Sequence, residues 1–196
     1  MPRVTALDEC ARDRVRVELD GAPWRELSAD AVVRAGLAVG RELDRPALRV
    51  LRRELRRSEA LARAALALRH GDLSAAALRA RLDRASVAPA ARDDALATLA
   101  AAGLVDDRRF ATGRADALAR RGWGDAAIGA DLERRGVSAE LVAAALAALP
   151  DEVERARPLM RGRSGSPART GRFLAGRGFS QETLEALLTV EIADEP

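Results

Sequence analysis

Arginine carries most of the chemical potential of this sequence. Arg49, Arg52, Arg53, Arg56 and Arg57 fall at i, i+3, i+4, i+7 and i+8, the spacing that gathers side chains on one side of a helix. A guanidinium is always charged and holds its N–H donors in a planar fork that matches phosphate and carboxylate oxygens. Such a face suits phosphates or an acidic protein surface. Like charges one turn apart destabilise a helix, so the arrangement needs a reason. A second run, Arg155, Arg157, Arg161, Arg163, Arg169, Arg172 and Arg177, has no acid within it. Its Gly-Arg-Ser-Gly-Ser stretch at 162–166 reads either as a phosphate-holding loop or as a plain linker. Composition supplies the competing explanation for both patches. All 33 basic residues are arginine, with no lysine, asparagine or tyrosine and isoleucine only at Ile128 and Ile192, as a GC-rich coding sequence would give. A solvated face enriched by codon usage therefore stands beside the binding reading.

Other chemistries find little support. Without lysine there is no Walker A motif, Schiff base or pyridoxal anchor. His70 precedes Gly71, where a cation suits the end of a helix. Cys10 is the only cysteine, which removes disulfides and zinc fingers and fits a cytoplasmic chain. Asp106-Asp107 is explained by helix capping, and Asp93-Asp94 and Asp151-Glu152 read equally as helix-start or surface charges, so neither catalysis nor a metal is called for. A hydrolase would need carboxylates brought together from distant segments, and their spacing does not suggest it. The expectation is a non-enzyme without cofactor or metal. No signal peptide or membrane-length apolar run is visible, and a monomer is expected.

The elements that position these residues announce themselves by a five-residue step: apolar residue, cap, then a second apolar residue that staples onto the first. Val105-Asp106 leads to Phe110, Trp123-Gly124 to Ile128, and Val137-Ser138 to Val142. The step recurs at Leu27-Ser28 to Val32, Leu43-Asp44 to Leu48, Leu73-Ser74 to Leu78 and Phe179-Ser180 to Leu184. Gly122 and Gly136 stand where left-handed helix ends belong. Two junctions share one register, Leu132 to Ser138 and Leu174 to Ser180, with a weaker copy at Leu82 to Val87 in which Ser86 replaces glycine.

The fold expected is all-α, with three tandem three-helix repeats in an elongated curved array, preceded by a small β-hairpin and helical extension. The boundaries are a flexible N-terminus at 1–11, hairpin and extension at 12–57, repeats at 58–103, 104–149 and 150–192, and a tail at 193–196. Val15, Val17 and Leu19 alternate with charged residues before Asp20-Gly21, a hairpin signal. Trp24 is placed across from Val17 as a packing anchor, with exposure to a partner the alternative. Leu48, Leu51 and Leu55 form the apolar stripe opposite the first arginines, and Leu61, Ala65 and Leu68 form that of the first helix of the first repeat.

These residues carry a resemblance. Gly103-Leu104-Val105-Asp106-Asp107 with Phe110-Ala111, Arg121-Gly122, Ile128, Leu132, Gly136-Val137, Gly178-Phe179-Ser180 and the Leu66 to Leu82 segment with Leu73-Ser74 resemble the RecX family of RecA regulators. The similarity covers roughly 46–190, and Leu37 to Leu43 also fits. It implies a protein that binds the RecA filament on single-stranded DNA and restrains its growth, ATP hydrolysis and strand exchange in repair, recombination and the SOS response. Single-stranded DNA and, more weakly, duplex DNA join RecA as expected partners. The alternative is an all-helical DNA-binding module acting without RecA. Against it, no helix combines arginine with the Asn and Gln side chains favoured for base readout.

Overall fold

The computed structural model describes residues 1–10, 13–160 and 167–193. They form a three-stranded antiparallel sheet and ten helices. Two compact units result, Met1–Gly71 with Leu78–Ala102, and Asp72–Ala77 with the chain from Gly103 onward.

In the first unit, β2 (Arg14–Leu19) and β3 (Ala22–Ser28) form the expected hairpin. Asp20 at φ 51° and Gly21 at φ 80° supply the two positive torsions that a tight hairpin turn requires. Val15, Val17 and Leu27 are buried while Arg14 and Arg16 face solvent. β1 (Val4–Cys10) pairs with β2 and corrects the expectation of a flexible terminus over residues 1–11. Val4 is wholly buried, Thr5 donates to Glu18 at 2.8 Å, and Arg3 pairs with Glu42 at 2.6 Å. A register shift between Val4 and Ala6 breaks the alternation that would have marked this strand in sequence.

A second register shift displaces Trp24. Val17 pairs with Arg25 and Glu18 with Pro23, so Trp24 is the extra residue of a bulge. It is 41% exposed, not the buried anchor expected.

α1 (Ala29–Arg34) is capped by Ser28, and α2 (Arg45–Leu68) by Asp44, whose carboxylate accepts the Ala47 N–H at 2.8 Å. α2 runs unbroken for 24 residues, so the boundary expected between 57 and 58 falls inside a helix. No glycine or proline interrupts it there, and the Ser58 hydroxyl faces Ser28 Oγ at 3.4 Å instead of capping a new start. Leu51 is buried and Leu48 and Leu55 pack beside it, as expected. The second half buries Ala60, Ala64 and Ala67, and leaves Ala65 and Leu66 exposed, which corrects the Leu61, Ala65 and Leu68 stripe. Ala60 meets Ala91 and Ala95 of α4 (Pro89–Ala101), where small side chains let two helices approach closely. α3 (Ala75–Arg84) buries Leu78 and Leu82.

The second unit holds α5 (Asp107–Arg120), α6 (Asp125–Arg134), α7 (Ala139–Ala147), α8 (Glu152–Met160), α9 (Pro167–Gly176) and α10 (Gln181–Ala193). Phe110, Leu118, Ile128, Leu132, Val137 and Val142 join α5, α6 and α7 around one core. Ala156, Leu174, Phe179 and Leu187 do the same for α8, α9 and α10. Asp106 accepts from the Arg109 N–H at 3.0 Å, Ser138 from Leu141 at 3.4 Å and Ser180 from Thr183 at 3.2 Å. Donation from the Arg109 and Arg108 backbone N–H groups holds the Asp106 carboxyl below the usual carboxylate range.

The two superposable junctions make one joint twice. Gly136, at φ 75°, and Gly178, at φ 79°, each close a Schellman turn: the Val137 N–H reaches Leu132 O and the Phe179 N–H reaches Leu174 O, both at 3.2 Å. Gly136 rests on Ala76 at the start of α3, and Gly178 on Ala127 at the start of α6. The Gly124 N–H donates to Arg177 O at 2.9 Å, and the Ser74 hydroxyl donates to the equivalent Arg135 O. An acid completes each joint. Asp107 accepts from the Ala75 N–H at 2.7 Å, and Glu152 from the Asp125 N–H at 2.7 Å.

Candidate interaction surfaces

The arginine face of α2 survives in part. Arg49, Arg52 and Arg56 are exposed and make no ion pair among the described residues, while Arg53 leans on Glu54 at 3.0 Å. Glu54 is 4% exposed and also lies 3.4 Å from Arg34 Nε, so its charge is absorbed by two guanidiniums. Arg57 leaves the face. It pairs with Asp30 of α1 at 2.9 Å and donates to Thr98 Oγ1 of α4 at 3.3 Å, with its side chain 12% exposed. It clamps three helices and is not available to a partner.

Two grooves flank this face within the first unit. One, of about 250 Å³, is lined by Arg49, Arg52, Arg53 and Arg56 with Ala88, Ala90, Ala91 and Asp94. It runs along the start of α4, where Ala88 is an N-cap without a side-chain acceptor. The other lies toward the sheet, where Arg14 and Arg25 join Arg52 and Arg56. Sequence reasoning missed these strand arginines. Their signal was the alternation that marked the hairpin: Arg14 lies on the exposed side of β2, and Arg25 lies across from the buried Val17.

The second patch does not assemble as a free surface. Arg155 is 9% exposed on its side chain, donates to Pro150 O and Trp123 O, and pairs with Asp125. Arg177 stacks 5.7 Å from the Trp123 ring and 4.8 Å from Phe173, and donates to Arg121 O and Gly122 O. Both are structural ties. Arg157, Arg169 and Arg172 are exposed. Arg161, Arg163 and the 162–166 loop lie outside the described residues.

The acids are occupied by the scaffold. Burial pushes the Asp125 carboxyl up despite Arg155. Burial also opposes the Glu152 charge, but donation from Ser180, from the Asp125 N–H and from Thr183 outweighs it and holds that carboxyl below its ordinary value. Asp131 receives two bonds from Arg114, at 2.8 and 3.2 Å, and one from Arg135 at 2.9 Å, and its pKa falls to about 2. Among the described residues, no group of three His, Cys, Asp or Glu side chains could hold a metal ion, and no helix is long and apolar enough to cross a membrane.

Comparison with known proteins adds a second line. Residues 106–146 match the family model described as RecX, second three-helix domain. The regulatory protein RecX of Thermus thermophilus is 41% identical over 125 residues, covering 62% of this chain and 84% of that protein. The regulatory protein RecX of Acidithiobacillus ferrooxidans is 36% identical over 121 residues, covering 57% and 73%. Among solved structures, a crystal structure of regulatory protein RecX superposes with a TM-score of 0.80 at 17% identity, over 94% of this chain and 98% of that one. RecX from Lactobacillus salivarius gives 0.62 at 15% identity, over 68% and 95%.

Proposed function

The chain belongs to the RecX family of regulatory proteins, and from that premise we propose that it binds the RecA filament on single-stranded DNA and restrains its growth, ATP hydrolysis and strand exchange. It acts by occupying a surface and not by chemistry. The observation that carries the reading is the set Arg49, Arg52 and Arg56, exposed on one face of α2 and without an ion pair among the described residues. Holding like charges together costs helix stability unless a polyanion or acidic surface receives them. The exposed Arg157, Arg169 and Arg172 add a second point of attachment on the other unit.

The test is the single-stranded-DNA-dependent ATPase rate of the cognate RecA with this protein titrated in at fixed salt. Inhibition is expected well below the concentration that coats bare DNA. Arg52→Glu with Arg56→Glu should remove it while leaving helicity intact. A rate that falls only once bare DNA is saturated would instead favour a DNA-binding module that needs no RecA.

A further inference from the structure

We propose that the groove between β3 and α2 is a track for a single-stranded nucleic acid, with Arg25, Arg52 and Arg56 on phosphates and Trp24 stacked on an unpaired base. The inference shares with the preceding reading only the premise that α2 arginines meet phosphate.

Four observations converge. The groove, of about 480 Å³, is lined by Arg14, Arg25, Arg52 and Arg56 over an apolar floor that includes Leu55 and Ala62. Its two carboxylates are already engaged, Glu26 with Arg16 at 3.3 Å and Glu59 with Arg63 at 2.7 Å. The net field is therefore positive. Arg52 and Arg56 stand one turn apart, about 6 Å along the helix, a step their long side chains can match to neighbouring phosphates of one strand. Finally, the β-bulge turns Trp24 out to 41% exposure with the Arg25 guanidinium 5.8 Å from its ring.

That last feature selects the partner. An indole 41% exposed beside the groove arginine Arg25 offers ring surface to a planar group, and bases stack on such rings whatever their sequence. A paired base cannot reach it, which disfavours duplex. An acidic peptide would use the arginines but leave the indole idle.

The experiment uses the full chain, a fluorescein-labelled 15-nucleotide oligo(dT), and no RecA. Binding followed by anisotropy should weaken about tenfold in Trp24→Ala and recover most of the loss in Trp24→Phe, which keeps an aromatic face. Tryptophan emission of the unmodified chain should quench on adding unlabelled oligo(dT), and that quench should be missing in Trp24→Phe, which retains Trp123. Arg52→Ala with Arg56→Ala should reduce the slope of log affinity against log salt by about 1.4. An oligomer of abasic sites should bind the unmodified chain and Trp24→Ala alike. Equal affinity of Trp24→Ala and the unmodified chain for oligo(dT), or a quench that persists in Trp24→Phe, would overturn the track. So would polyglutamate competing as well as the oligonucleotide at equal charge. If the track holds but RecA's ATPase is unaffected, the filament reading fails alone; if RecA is inhibited equally by Trp24→Ala, the filament reading stands without the track in its mechanism.

Discussion

The Asp107 carboxylate accepts a hydrogen bond from the backbone N–H of Ala75 at 2.7 Å, and Glu152 stands in the same relation to Asp125 one repeat later. Each acid opens the first helix of its own repeat and caps the second helix of the one before. Glu152 carries more, because it also receives the Ser180 N–H and hydroxyl and the Thr183 hydroxyl. Glu152→Ala should therefore cost about 2–3 kcal/mol and Asp107→Ala about 1 kcal/mol. Urea denaturation of both variants checks the order, which would be reversed if capping at these joints were incidental.

The joint glycines should be less replaceable than glycines of similar torsion elsewhere. A Cβ at Gly178 would stand 2.5 Å from the Ala127 methyl, whereas Gly103, at φ 66°, has open space around it. Gly103→Ala should cost about 1 kcal/mol from the left-handed torsion alone. Gly178→Ala adds overpacking and should cost about 2–4 kcal/mol in total. Thermal melts of the pair would show the difference, and equal shifts would argue that the joint yields freely.

Ser86 sits in the same turn as those glycines, at φ 56°, with the Val87 N–H reaching Leu82 O at 3.1 Å. The Schellman geometry is complete, but a residue with a Cβ pays for the torsion. Ser86→Gly should stabilise the protein by about 0.5–1 kcal/mol. A lower midpoint in denaturant would refute this.

Asp131 sets an acid limit. Its carboxyl is held at about 2 by Arg114 and Arg135, below its value in an unfolded chain, so its contribution is present above about pH 4 and is lost as pH falls toward 2. The shift is worth about 1 kcal/mol once solvent screening is allowed for. Asp131→Asn should be less stable than the unmodified chain at pH 6, with the gap closing between pH 4 and 2. A gap independent of pH would mean the loss is steric.

Neighbouring arginines on α2 should separate by role. Arg57→Ala loses the Asp30 and Thr98 bonds and should destabilise by about 1–2 kcal/mol. Arg52→Ala and Arg56→Ala should stay within about 0.5 kcal/mol of the unmodified chain. Chemical denaturation measures all three.

Much of this organisation was legible because it is written locally. Asp106, Ser138 and Ser180 mark helix starts, and Gly122, Gly136 and Gly178 mark ends, through bonds spanning only a few residues. What escaped depends on partners far along the chain. Arg57 cannot be told from Arg56 until Asp30 and Thr98 are placed beside it. Ala60 cannot be told from Ala62 by hydropathy, since only the approach of Ala91 and Ala95 on α4 chooses between them. Trp24 follows the hairpin's alternation until one extra residue in the ladder turns it outward.

The joints at Gly136 and Gly178 are built from a torsion angle, main-chain hydrogen bonds, a neighbouring methyl group and one part-buried carboxylate each, and they call on none of the exposed arginine side chains. Scaffold and surface are thus separately heritable. A lineage can repaint its arginine faces to suit a different partner without retuning how one repeat seats on the next.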